Sequence, residues 1–466
     1  MTITEIRILP PFAIGRLGAS ETPLENYDLV PNGDSALGFR QIKGAETLRV
    51  NRATGEITGI YKPDRVQFRD GGAIRPVAPF LEVFARTADD TLEPLTLALL
   101  DEHKLTPASL TWRVEVGNLK IFRRTSIAAD RIEAKAEFSD HRLHALEGHC
   151  ENFFAGKVLP LGSVQYIKPT AQFPDVRLRL TPAGGWVYGS SPKRKEVDAS
   201  NKVVETDDKI IAHDRIIYDP KKGTWRGFDD GKTPAPERTV PGAIYAGYSD
   251  PDSGDQISWG YLDDECDGIV TATLTIEGKK LSAFARIAAG PPTFAPDSVP
   301  IRTVADELDQ VLLGHEADAS VTLEEAEEIV RRAVESVRLM NTAAMNGNTI
   351  EGRTNVASTM VRQDTNDFSR YFQPIMTPTS VDSHALMALH QTILAALRSG
   401  TGAWFAEALR RPDQIGDLSD AGRRKMPAMM RGADGRMLVL SRRQIATIVR
   451  NAAGDLFAAP KRGAGS

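Results

Sequence analysis

Only two cysteines, Cys150 and Cys266, occur in 466 residues. Two thiols cannot build the disulfide framework of a small secreted scaffold, so two separately placed reduced thiols in a cytoplasmic protein are expected. Long apolar runs are missing too. No stretch approaches the roughly 18 uninterrupted apolar residues of a membrane-spanning helix. Met1–Arg7 carries neither a basic leader nor an apolar core, and no secretory signal is expected there. An excess of one charge is also lacking: 57 Lys and Arg face 62 Asp and Glu, a formal net charge of −5. That balance offers no basis for general nucleic-acid or membrane-surface binding. The specific nucleotide signatures are absent as well. There is no G-x-x-x-x-G-K-[ST], and Gly15-x-x-Gly18 lacks the three-glycine pattern that brings backbone against a pyrophosphate. Nor is there a G-x-S-x-G elbow or an H-E-x-x-H helix.

What is present divides near residue 300. Both cysteines and four of the five tryptophans (Trp112, Trp186, Trp225, Trp259) lie before it, whereas nine of the ten methionines, Met340 to Met437, lie after it. β-Branched and aromatic runs favour strands, and unbranched methionine suits helix packing. The pattern predicts an α+β protein: antiparallel sheets over 1–300, then an all-α domain over 301–466. Alternating segments fall at 3–8, 12–14, 112–116 and 176–180. Residues 268–289 read as a hairpin about a turn at 277–280. The prolines of 74–86 predict an edge or bulged strand, and the polar insert 192–209 predicts a mobile solvated loop. Three prolines within 290–297 make a connector. Beyond it, Thr322 with Glu325 and Ser441 with Gln444 form capping boxes. Ala326, Ile329, Val330, Ala333, Val334, Val337 and Met340 mark one helix face. Further helices are expected over 382–398 and 402–409.

Three constellations could carry chemistry. His141, His144, His149 and Cys150 offer imidazole and thiolate ligands suited to zinc, with Asp140 and Glu147 nearby. No second cluster completes four ligands, so surface histidines beside a half-buried thiol are the expected reading. Asn341, Asn346, Arg353 and Asn355 could line a polar pocket by orienting carboxylates or amides of a ligand, against the plainer reading of a helix end and loop. Arg431 and Asp434 lie in a basic stretch, Arg423 to Arg443, that could hold an acidic partner or form a solvated face with salt bridges. The acidic run Asp263-Asp264-Glu265-Cys266-Asp267-Gly268 fails as a calcium loop, because the position of its bidentate glutamate is Leu274. A tight acidic turn before the hairpin is expected instead.

Five segments in order carry a resemblance: Ile8–Ser20 (ILPPFAIGRLGAS), Gly72–Phe84 (GAIRPVAPFLEVF), Val176–Gly189 (VRLRLTPAGGWVYG), Asp263-Asp264 with Asp267-Gly268-Ile269-Val270, and Ala289–Asp297 (AGPPTFAPD). Over about residues 3–300 the chain resembles the LodA-like quinoproteins, the family of L-lysine ε-oxidase and glycine oxidase. The resemblance implies oxidation of an amino acid's amine by a cysteine tryptophylquinone made from a Cys and a Trp of the same chain. It also implies that this pair lies beyond the resembling region. Residues 301–466 contain no cysteine and only Trp404. No cysteine tryptophylquinone, and no other cofactor, is therefore expected. The expected function is a non-catalytic relative of amino-acid oxidases that binds a small polar ligand or a protein partner. The alternative is an oxidoreductase acting on amino-acid amines, or a metal-assisted enzyme, with a different site at the domain junction.

Overall fold

A computed structural model of the chain describes residues 2–31, 40–190, 193–197, 200, 202–207, 211–219, 221–223, 247–249, 256–258, 261–293, 295–318, 320–335, 392, 395–397, 399, 409–414 and 439–452. Two compact units result. One comprises Met1–Tyr27 and Gly44–Phe294, the other Asp28–Lys43 and Ala295–Ser466.

The first unit is strand-rich. Its strands are β1 (Ile3–Leu9), β2 (Phe12–Arg16), β3 (Phe80–Thr87), β4 (Leu92–Pro94), β5 (Leu110–Asn118), β6 (Ile132–Phe138) and β7 (Leu143–Gly148). They continue as β8 (Leu159–Ile167), β9 (Arg177–Thr181), β10 (Val187–Gly189), β11 (Tyr261–Asp263), β12 (Cys266–Ile276) and β13 (Lys279–Gly290). Two short helices, α1 (Leu97–Glu102) and α2 (Lys120–Thr125), connect them. One sheet runs β1-β3-β9-β8-β7 with β4 on β3; the other runs β6-β5-β12-β13-β2. Pairing is antiparallel except for β2, which lies parallel to β13.

Alternation explains how these sheets form a core. Along β5, Leu110, Trp112, Val114 and Val116 point inward; along β12, Val270, Ala272, Leu274 and Ile276 do the same. The inner faces meet in one apolar cluster, where Trp112 of β5 packs edge-on against Tyr166 of β8 at 5.9 Å between ring centroids. Burial of each such large side chain is worth about 1.5–3 kcal/mol. The hairpin β12–β13 turns through Glu277 and Gly278, both at positive φ (48° and 77°). Such a two-residue turn matches the strand twist, and glycine meets its second position without strain.

Two expectations are corrected. The strand of 74–86, expected to be an edge or bulged, is not an edge: β3 is paired by β1 on one side and β9 on the other, and its ladder with β1 carries a register shift between Ile3 and Glu5. Its prolines, Pro76 and Pro79, precede the first ladder residue, Phe80, so no ladder N–H is lost. The polar insert is not a plain loop either, because Lys193–Val197 pairs antiparallel with Val203–Asp207. The two-residue periodicity of its valines and threonine was masked by charge.

In the second unit, the described helices are α3 (Val304–Leu313), α4 (Leu323–Glu335) and α5 (Arg442–Ala452). Both expected capping boxes form. Thr322 N–H donates to Glu325 Oε2 at 2.8 Å, and Ser441 N–H to Gln444 Oε1 at 2.8 Å. The expected inward face of α4 buries Ala326, Ile329, Val330 and Ala333. Helix α3 was not foreseen, although Thr303 and Asp306 form a reciprocal cap at its start. The helices expected over 382–398 and 402–409 fall largely outside the described residues.

Candidate functional site

The sequence-proposed metal ligands are committed elsewhere. His141 donates through Nδ1 to the Tyr166 carbonyl at 3.1 Å, and its burial lowers its pKa. His144 Nε2 lies 2.9 Å from Asp140 Oδ1, with its ring stacked on Phe138 at 4.1 Å. Asp140 is held well below the carboxylate range, chiefly by Arg142. His149 is exposed, and its backbone pairs with Glu133. Cys150 Sγ donates to the Ala129 carbonyl at 3.1 Å. Among the described residues, no group of three or more His, Cys, Asp or Glu is gathered to hold a metal ion. Asn341, Asn346, Arg353, Asn355, Arg431 and Asp434 lie outside the described residues.

Both thiols are poor nucleophiles where they stand. Burial pushes Cys150 up to about 11 and Cys266 up to about 12, so both remain protonated near neutrality. Trp259, the tryptophan nearest Cys266 in sequence, lies outside the described residues.

The acidic turn between β11 and β12 holds a group whose role the sequence did not show. Asp263 and Glu265 share the Lys120 ammonium, with Asp263 Oδ2 at 2.6 Å. Asp264, between them, turns inward and is fully buried. Its Oδ2 accepts the N–H groups of Gly185 and Trp186, each at 3.0 Å. Its Oδ1 is buried with no hydrogen-bond partner among the described residues. Desolvation, reinforced by Asp263, raises its pKa to about 7 against the pull of the two amides. Enclosure keeps it from any substrate, so its work is to pin the turn before β10. Gly185 takes φ 78° there, and the half-exposed Trp186 ring carries the Arg215 guanidinium at 4.9 Å. The available signal was that Asp264 stands two residues from both Leu262 and Cys266, on the inward side of the strand period.

A concave site with accessible volume lies in the second unit, between α3, α4 and α5. It is a cleft of about 530 Å³. The capping boxes set where α4 and α5 begin, and the inward face of α4 brings its acidic first turns toward α5. Asp306, Asp309, Asp318, Glu324, Glu325 and Glu328 line the cleft against the guanidiniums of Arg332 and Arg443. Six carboxylates against two cations leave four formal negative charges in excess. Arg332 is divided between Asp306 at 3.0 Å and Glu328 at 3.2 Å, and Arg443 is paired with Asp318. Among the described residues, Asp309 and Glu324 have no ion-pair partner. Arg40 supports the wall from behind: its Nε donates to Glu335 and its Nη2 to Glu328, each at 2.9 Å, with Arg40 and Glu335 buried. Arg443 belongs to the basic stretch noted in the sequence, yet it is largely buried in the cleft wall and not part of a solvated face. Chemically, the cleft can hold an ammonium or amine among its carboxylates, the two guanidiniums being already engaged by Asp306, Glu328 and Asp318.

No family model and no curated protein sequence matches the chain. Among the described residues, no helix is long and apolar enough to cross a membrane. The chain is similar in structure to the ε-lysine oxidase of Marinomonas mediterranea, at 14% identity and a TM-score of 0.41 over 97% of this chain and 61% of that one. A second structure of that L-Lys ε-oxidase gives 13% and 0.40 over the same shares. The Schiff-base intermediate of that enzyme with L-Lys gives 15% and 0.36, over 73% of this chain and 46% of the other. The chain thus spans between about half and three-fifths of the length of the oxidase chains it aligns with.

Proposed function

We propose that this chain is a non-catalytic, cytoplasmic relative of the LodA-like quinoproteins that binds a small amine-bearing polar ligand in a helical C-terminal domain, without a cofactor. The observation that carries the reading is the cleft's lining of six carboxylates and two guanidiniums around about 530 Å³. A concave site with excess negative charge favours cations, and its low-dielectric walls strengthen the attraction. Arg332 and Arg443 are held by Asp306, Glu328 and Asp318, so the charge left for a ligand is that of Asp309 and Glu324, which an amine would use. The five-segment sequence resemblance supports the lineage. One further fact supports the absence of quinone chemistry: residues 301–466 have no cysteine.

The test combines intact mass, a visible spectrum and thermal shift on the full chain. The expected mass is unmodified, with no quinone band and no peroxide released from L-lysine. Cadaverine and L-lysine should raise the melting temperature, with a stabilisation of about 2.7 kcal/mol at a hundredfold excess over Kd. Diacetylcadaverine, which lacks the charges, should not. Glu324→Gln with Asp309→Asn should abolish the shift. A mass change matching oxygenation and Cys–Trp crosslinking, with peroxide formation, would restore the oxidase and sink this reading.

A further inference from the structure

Strand β9 sets Arg177 and Arg179 on the outer face of its sheet, because Leu178 and Leu180 take the inward positions of the period. The two guanidiniums meet opposite surroundings. Arg177 is bridged by Glu82 at 2.6 Å and by Asp175. Arg179 is half-buried, and its Nε is enclosed with no acceptor among the described residues. What it has is the ring of Phe80, its cross-strand neighbour on β3, at 5.2 Å. A hairpin of Thr47–Val50 and Ile57–Tyr61 packs on the same face, placing Leu48, Val50 and Ile57 against Ile167, Phe173 and Phe80.

The turn of that hairpin brings a second cation and no free anion. The Arg52 carbonyl accepts from Gln165 Nε2 at 2.9 Å, and Gln165 is the neighbour of Arg179 on β8. The one carboxylate of the turn, Glu56, is taken by Lys168 at 2.6 Å. Arg52 itself has only Glu21 at 3.9 Å, a pair of exposed side chains that contributes little. Burial lowers the pKa of Arg179 to about 10, and the charge of Arg52 adds to the shift. An enclosed guanidinium facing another cation is unfavourable until an anion offsets it, and stacking on Phe80 leaves Nε without an acceptor.

We propose that Arg179 and Arg52 bind a phosphate-class oxyanion, either free or as the end group of a phosphate monoester. The planar fork of Arg179, held over Phe80, matches two oxygens of such a group. A dianion offsets both guanidiniums at once, which a monovalent carboxylate does not. Arg49, stacked on Tyr61 of the same hairpin at 4.7 Å, adds positive charge. These residues all belong to the first unit, so the inference stands apart from the amine cleft.

The test is isothermal titration calorimetry of the full chain, at ionic strength held constant with chloride. Inorganic phosphate, glycerol 3-phosphate and acetate are the probes. At least one of the two phosphates should bind saturably, and acetate at least about tenfold more weakly. Tighter binding of glycerol 3-phosphate makes the ligand a phosphorylated molecule, and tighter binding of inorganic phosphate makes it the free anion; either order supports the site. Arg179→Met should abolish phosphate binding. Without phosphate its melting temperature should stay level or rise, because an unpaired charge is removed and packing on Phe80 is kept. Arg52→Gln, at an exposed position, should weaken phosphate by about tenfold without affecting the fold. No saturable binding of either phosphate, acetate as tight as phosphate, or indifference of phosphate binding to Arg179→Met or to Arg52→Gln would overturn the proposal.

Discussion

The two units bury different chemistry. In the first, the interior is the apolar space between two sheets, filled by Trp112, Tyr166 and the alternating aliphatics of β5, β8 and β12. Its charged groups stay near the rim with two exceptions, the fully buried carboxyls of Asp264 and of Asp130, the latter held by Thr125, Asn152 and Tyr218. In the second, Arg40, Arg331, Glu335, Arg410, Gln444 and Asn451 are themselves buried, whereas Val311 and Leu312 of α3 are not. Sheets satisfy their backbone through ladders and leave side chains free to be apolar. The helices here add to the apolar face of α4 ion pairs and amide hydrogen bonds, which are directional and intolerant of a missing partner. One unit should therefore respond to lost volume, the other to lost charge.

The largest expected effects test that contrast directly. Trp112→Ala should cost the first unit about 3–5 kcal/mol, read as a lower urea midpoint, through lost transfer energy and the cavity left against Tyr166. Glu335→Ala should cost the second unit about 1–3 kcal/mol, because buried Arg40 keeps only Glu328 and its Nε loses its acceptor. Combining Arg40→Met with Glu335→Leu should recover most of that loss. If the double variant is as unstable as the single one, the pair's role is packing and the contrast fails.

Asp264 offers a pH-dependent test in the apolar unit. Its folded pKa, raised to about 7, lies above the ordinary 3.8, so the fold favours the neutral acid. The contribution is fully present below about pH 4 and is lost as pH rises through 7, at no more than about 1.4 kcal/mol per pH unit. Asp264→Asn keeps an acceptor for the Gly185 and Trp186 amides and should flatten that slope, followed by Trp186 fluorescence. An unchanged slope would assign the titration to another group. The smallest effect belongs to the cap of α4. Thr322→Ala should cost about 0.5–2 kcal/mol, by removing the acceptor of the Glu325 N–H.

Legibility followed the range of the interactions involved. The strands at 3–9, 110–118, 177–181 and 266–290 could be read from alternation, and the starts of α4 and α5 from capping pairs three residues apart. β3 was misplaced as an edge because prolines near a strand say nothing of which strands flank it. Helix α3 was missed because its apolar stripe carries acids on both borders and no core faces it. The candidate cleft was only half legible. Its carboxylates belong to runs that read as ordinary solvated helix faces, and Arg443 read as one of many surface cations. His141 and His144, neighbours in sequence, are held by separate partners, the Tyr166 carbonyl and Asp140.

By itself the sequence determined what depends on neighbours a few residues away: the period of each strand and helix, the Glu277–Gly278 turn, the caps at Thr322 and Ser441, and the lack of any thiol after residue 300. Only the tertiary structure decided that Arg40 meets Glu335 across 295 positions, that Asp264 leaves water, and that α3 sets Asp306 against Arg332 while Val311 and Leu312 stay exposed. Dihedral preference and hydrophobic period are local, so they are written along the chain. Desolvation and charge pairing are sums over side chains that only folding brings together.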